Sequence, residues 1–367
     1  MVGFELMPVL YFLIITWCFG YTITRFARKR DGSEVNDSFL ERNLMNLGIG
    51  LGVIPILGVI LAVLRVQIVW WVFLVLSLII PLYDLVLYLK NIKGESFLNN
   101  LKINSKNLLK IKKSTFYVLL VIVMFFCLLF VMNKGAFMNP WLEDGDSWGH
   151  MMQSKYIELH KTYYPPTDAE ISHYNIPYSQ GYDILMGTLF QVSDSSYWSL
   201  KFFNAFLISL AIIFFYFFVE RFTNDSKLAL FATFILAIIP SFLSHFIWSK
   251  TLAIILYFPA FYCIIMSEQD NKWLIPSIIV IASILVTAPV TAFYFAPFLG
   301  IFWLGRFLVN RKLNLNIIIA GLGGFVLSLF YWVDMFVRFT FRGTLVLLNV
   351  VKVKGGTDIT LSKLFDI

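Results

Sequence analysis

The chain has 367 residues, 59% of them hydrophobic and only 14% charged, with 38 phenylalanines and a formal net charge of +7. That balance excludes a soluble globular chain and points to an all-α polytopic membrane protein. The positive excess is therefore a topology signal to be read loop by loop, and no nucleic-acid partner is expected.

A membrane span needs ~20 apolar residues at ~1.5 Å rise each. On that criterion the chain offers about ten transmembrane helices. The first is Phe4–Thr24. Basic residues follow it rather than precede it, so an uncleaved helix with an outer N-terminus is expected. The second, Leu44–Leu64, carries Gly48, Gly50, Gly52, Pro55 and Gly58, a pattern for close packing or a kink. Ile68–Leu89 is the third. Lys90–Lys113 then holds seven lysines and one acid, a cytoplasmic retention signal that also suits anionic lipid.

Ser114–Met132 is the fourth span, and the polar segment after it emerges on the outer side. Tyr197–Val219, Leu228–Phe246 and Thr251–Met266 follow. Trp273–Phe307 is too long for one crossing and splits at Thr287–Thr291 around Pro289; Asn316–Val337 is the tenth span. Eighteen Lys and Arg then fall in inner loops and ten in outer segments, the sign expected for a multi-pass plasma-membrane protein with its N-terminus and large loop outside. Three units result: a three-helix unit with a basic loop (1–113), a seven-helix core containing the outer loop 134–196 (114–337), and an outer tail (338–367). The cysteines, Cys18, Cys127 and Cys263, all lie in apolar runs, so their spacing offers neither a disulfide framework nor a metal site.

The chemistry is expected in the outer loop, which opens with Trp141–His160, WLEDGDSWGHMMQSKYIELH. Asp146 or Ser147 is placed to cap a helix running to about His160, with an apolar stripe of Trp148, Met151, Met152 and Ile157. Ile176–Phe190 reads as a turn into a second amphipathic helix. Asp144 and Asp146 form a D-x-D pair, which can face one divalent cation (Mg or Mn) or divide into a base and an orienting group. Asp146 and His150 are i, i+4, but the spacing matches no zinc signature. Lys155, Lys250, Arg338 and Arg342 are cations near the outer interface, each either a snorkelling anchor or a phosphate ligand.

From about Lys113 to Val337 the chain resembles the GT-C superfamily of integral-membrane glycosyltransferases, which includes protein O-mannosyltransferases, aminoarabinose transferases and oligosaccharyltransferase catalytic subunits. The resemblance rests on an acidic motif opening a long outer loop (Glu143 to His150), on Pro177-Tyr178-Ser179-Gln180-Gly181-Tyr182 ahead of a helix, and on Pro240 to Ser244 before the turn at Lys250. It implies inverting transfer of a sugar from a polyprenyl-phosphate-linked donor to a lipid, glycan or protein acceptor in the bilayer. It also implies that Asp144 or Asp146 acts as base, orienting group or metal ligand, with His150, Lys155, Lys250, Arg338 and Arg342 meeting substrate. Two departures stand out: the later outer turns hold no second acidic motif, and no soluble domain follows the core. The alternatives are a transporter or flippase of lipid-linked sugars, which predicts a midplane site and broken helices, and a non-catalytic membrane subunit.

Overall fold

The structure, a computed structural model, describes residues 4–28, 38–91, 113–164, 179–243, 247–311 and 313–354, with side chains described as far as Val337. Its elements are helical: α1 (Leu6–Arg28), α2 (Phe39–Leu51), α3 (Val53–Val63), α4 (Trp70–Asn91), α5 (Lys113–Ala136), α6 (Gly145–His160), α7 (Gly181–Phe190), α8 (Ser196–Thr223), α9 (Ser226–Ile238), α10 (Ser249–Ser267), α11 (Leu274–Thr287), α12 (Pro289–Asn310) and α13 (Leu315–Lys354).

Among the described residues, eight helices are long and apolar enough to cross a membrane, with α2 and α3 counted as one; α9 and the stretch Asn271–Thr287 are shorter. The expected sixth span is thus cut short. Ile239, the residue before Pro240, takes an extended conformation (φ −75°, ψ 115°), because proline disfavours helical geometry at the preceding position. The thirteen residues of α9 reach only ~20 Å at ~1.5 Å per residue. The break expected around Pro289 is present: Ala288 is extended (φ −149°, ψ 107°) between α11 and α12. At the other extreme, α13 does not stop at Val337 but continues to Lys354, so 338–354 is helix where a tail was expected.

Burial sorts core from rim. The apolar window of α8 is 89% buried and that of α12 only 6%, so α8 lies at the centre with α2–α3 and α10, while α12 faces outward. The glycines of the second span work by close approach. A Cβ on Gly50 would lie 1.7 Å from the Thr16 carbonyl oxygen, and one on Gly20 would lie 1.8 Å from that of Asn46. Backbone therefore rests on backbone where α1 meets α2. Pro55 deprives the chain of one helical N–H next to the α2–α3 break at Gly52. One residue on, Ser283 of α11 stands between the Ile56 N–H and the carbonyl four residues back: its hydroxyl donates to the Gly52 carbonyl and accepts from the Ile56 N–H at 3.3 Å.

Polar contacts tie the helix termini into two ends. At one end, Arg25 pairs with Asp84, Arg221 with Glu41, and Arg306 with Glu268, linking α1 to α4, α8 to α2 and α12 to the end of α10. At the other end sits the loop carrying α6 and α7. Gln191, just after α7, bonds the Trp70 N–H and the Ile68 carbonyl (both 2.9 Å), and Glu5 accepts the Asp194 N–H at 3.0 Å.

Candidate functional site

α6 starts at a side-chain cap. Asp144 is extended (φ −144°, ψ 173°) and its Oδ1 accepts both the backbone N–H and the hydroxyl of Ser147 at 2.7 Å. The capping residue is thus Asp144, not the expected Asp146 or Ser147, because only Asp144 lies three residues before a free N–H. The helix turns Ser147, His150, Ser154 and Ile157 inward, one face at spacings of three and four. The expected apolar stripe is divided: Ile157 is buried, whereas Trp148 and Met152 are exposed.

α7 is buried along all ten residues, so it is a plug in the bundle rather than an amphipathic helix. It is covered on several sides at once. Gly187 packs on Ile157 and the Ser154 carbonyl, Ile184 packs into the space beside Gly58 of α3, and Gly181 packs against Thr287 and Val286 of α11.

A carboxylate sits inside this plug. Asp183 has no solvent exposure, and its Oδ1 meets His150 Nδ1 at 2.9 Å and the Ser154 hydroxyl at 3.2 Å. The other ring nitrogen, Nε2, accepts the backbone N–H of Ser249 at 3.1 Å. Because Nε2 accepts, the neutral ring carries its hydrogen on Nδ1 and donates it to Asp183. The Tyr182 ring stands edge-on to the imidazole at 4.9 Å. Burial lowers the imidazole's proton affinity, but Asp183, then Asp146 and Asp144, outweigh it and leave the pKa above the ordinary histidine value. A single imidazole thus joins α6, α7 and the start of α10.

The acidic motif lies at the rim above this pair. The second oxygen of Asp144 accepts the indole N–H of Trp248 at 3.3 Å, so both its oxygens are engaged. Asp146 is exposed in the first turn of α6 and makes no hydrogen bond or ion pair among the described residues. The D-x-D pair is therefore divided between a cap and a free carboxylate. No cluster of three His, Cys, Asp or Glu side chains converges among the described residues.

Two cations stand at the same rim. Lys250 lies over the Trp248 ring at 4.6 Å. Lys201, near the start of α8, is only 2% exposed; its ammonium donates to the Asn139 carbonyl and rests 4.7 Å over the Tyr197 ring. Glu143, Ser147, Lys201 and Asn204 line a small cleft of about 10 Å³, room for about one water and partly open to solvent, with Leu142 and Ile247.

The remaining expected residues lie elsewhere. Lys155 is half exposed and bonds Glu158 at 2.8 Å and Ser196 at 3.3 Å, on the outer face of α6. His150 was expected to face substrate but is buried, with both nitrogens occupied. Arg338 and Arg342 fall in α13 beyond the described side chains; His173, His245 and the Pro177-Tyr178 part of the loop motif fall outside the described residues.

Sequence reasoning missed Asp183 and Lys201 as parts of this site, whereas the turn holding Trp248, Ser249 and Lys250 is expected near the loop and is found there. Asp183 did carry a signal: it is the sole charged residue in GYDILMGTLF, and an isolated charge in an apolar element needs a partner.

Comparison with protein-family models, with curated proteins and with solved structures gives no match for this chain.

Proposed function

We propose that this chain is a membrane glycosyltransferase working at its loop end, with Asp146 as the catalytic base. In this reading it lies in the plasma membrane with ten crossings and the loop outward, and takes a sugar from a polyprenyl-phosphate-linked donor to a lipid, glycan or protein acceptor. The observation that carries the reading is the carboxylate of Asp146, exposed and without a hydrogen bond among the described residues, on a helix pinned into a membrane bundle, with Lys250 on the same rim.

The chemistry follows from those groups. Asp146 takes the proton of an acceptor hydroxyl as its oxygen attacks the anomeric carbon. The bond from that carbon to the phosphate oxygen breaks, and the lipid phosphate leaves with the electron pair. Lys250 neutralises the charge that develops there. Attack opposite the leaving group inverts the anomeric configuration.

The opposite end of the bundle favours an enzyme over a transporter. A transporter must open both ends in turn. Here the end away from the loop is held by a bidentate Arg221–Glu41 pair (2.5 and 2.7 Å) in which Glu41 is buried, and by Arg306–Glu268. Of the two features that suit a transporter, the glycines of the second span are accounted for by close packing on α1, and the break at Pro289 is present between α11 and α12.

The test is transfer by the purified protein in lipid vesicles supplied with radiolabelled polyprenyl-phosphate sugars and acceptor extracts. The reading predicts product of inverted configuration. Sugar-lipid crossing the vesicle membrane without any transfer would replace the enzyme reading with the flippase.

A further inference from the structure

The bonds around His150 do more than bury a ring. Its Nδ1 is held by Asp183 at 2.9 Å, and Asp183 is itself held by Ser154 at 3.2 Å. Its Nε2 is held by the Ser249 N–H at 3.1 Å. His150 lies one turn beyond Asp146 on α6, while Ser249 lies between Trp248 and Lys250 at the start of α10. The same two segments are tied once more, by Trp248 to Asp144 at 3.3 Å. The proposed base and the proposed phosphate cation thus stand on different elements, 104 residues apart in sequence, joined through two side chains.

We infer that His150 is a positioning residue: with Asp183 as its anchor, it sets the register between Asp146 on α6 and Lys250 on α10. This rests on the transferase reading given above. The imidazole suits the task because it is planar and rigid, with a donor and an acceptor pointing in different directions. Asp183 fixes which nitrogen keeps the hydrogen, and so which one stays open to Ser249. The groups that face the ring are Asp183 and Tyr182 from α7, Ser249 from α10, and Asp144, Asp146 and Ser154 from α6. None of them leaves the imidazole access to a reacting atom, so its action on the reaction runs through the helices it joins.

The experiment compares His150→Ala, His150→Gln and Asp183→Asn by two readouts: hydrogen–deuterium exchange of the Ser249 amide, and steady-state transfer. His150→Ala is expected to speed exchange at Ser249 by at least about tenfold. It is also expected to lower kcat by about 100-fold while leaving KM nearly unchanged, because misplacing reacting groups by about 1 Å carries a penalty of that order. His150→Gln is expected to recover most of both, since its amide also offers one N–H and one carbonyl. Asp183→Asn, whose carbonyl still accepts from Nδ1, is expected to keep Ser249 protected and kcat close to wild type.

Two results overturn the inference. In one, Ser249 exchange and kcat are unchanged in His150→Ala. In the other, His150→Gln and Asp183→Asn lose as much kcat as His150→Ala while Ser249 stays protected, which makes the dyad an acid–base group. Should His150→Ala not fold, the glutamine and asparagine variants decide between the same outcomes. Should no transfer be found with any donor, the transferase reading falls, and amide exchange still decides whether His150 holds α10.

Discussion

Removing Arg221 tests the end of the bundle away from the loop, whose closure separates an enzyme from a transporter. Arg221 meets Glu41 by two hydrogen bonds of 2.5 and 2.7 Å, and the Tyr262 hydroxyl adds a third to the same carboxylate at 2.9 Å. The Glu41 side chain is 5% exposed and that of Arg221 17%. Arg221→Ala leaves the carboxylate buried with only a neutral donor. Breaking a buried pair in this way costs about 3–5 kcal/mol, whereas replacing both partners by apolar side chains is often close to neutral. Glu41→Met/Arg221→Met is therefore expected to recover most of the loss, less about 1 kcal/mol for the Tyr262–Glu41 hydrogen bond removed with the carboxylate. The assay is denaturant unfolding of the purified protein in mixed micelles, followed by tryptophan fluorescence. A coupling energy of at least about 2 kcal/mol is expected between the two positions. An Arg221→Ala cost below about 1 kcal/mol would refute the reasoning, because the pair would then be solvated and the end free to open. The double variant should also keep its transfer activity, which a transporter that depends on this gate would not.

Other predictions follow from the same contacts. Gly50→Ala should lower stability by about 3 kcal/mol or more, because the new methyl would sit on the Thr16 carbonyl, whereas Gly300→Ala, with nothing within 4 Å, should be neutral or stabilising by up to about 1 kcal/mol; thermal midpoints in detergent check both. Acid should separate stability from activity at His150. Its pKa is raised in the folded chain, so the stability it contributes through Asp183 is fully present below the ordinary histidine pKa and is lost as pH rises through the raised value. Protonation fills Nε2, however, and releases the Ser249 N–H, so transfer should fall with acid while the thermal midpoint holds; a midpoint that drops in parallel with the rate would contradict this. Lys250→Ala should raise KM for the lipid-phosphate donor without loss of stability, as measured by donor titration, because the ammonium rests on the Trp248 face rather than in an ion pair.

Much of the bundle was legible in the sequence, because long apolar runs bounded by charge leave few alternatives to a membrane helix. The break before Pro289 was readable for a local reason, the conformational limit that proline sets on Ala288. The same rule at Pro240 was overlooked, so the sixth span was drawn too long. α13 outran its expected end because the helix runs on through Arg338 and Arg342 into further apolar residues, and a charged boundary marks a limit for lipid, not for helix length.

The site was half legible. The start of α6 was read to within two residues from its D-x-D and Ser. Which residue caps was not, since Asp144, Asp146 and Ser147 are all good capping types; the contact of Asp144 with Trp248, 104 residues away, was hidden too. The nature of α7 was hidden as well: its pattern looks one-sided, and only the surrounding α3, α6 and α11 make every face of it internal. Asp183 joins His150 over 33 residues and His150 joins Ser249 over 99, distances at which sequence pattern carries no pairing signal.

The most direct test of the central claim is the single-turnover transfer rate of Asp146→Asn against Asp144→Asn, each compared with wild type at equal amounts of folded protein. Asp146 is exposed and makes no hydrogen bond or ion pair among the described residues, so its Asn variant should keep stability to within about 0.5 kcal/mol. It should also lose transfer by about 10²–10⁴-fold, the scale of a missing general base. Asn caps a helix as well as Asp does, so Asp144→Asn should lose far less. Full transfer by Asp146→Asn, or a larger loss from Asp144→Asn in a folded protein, would contradict the assignment of Asp146 as base.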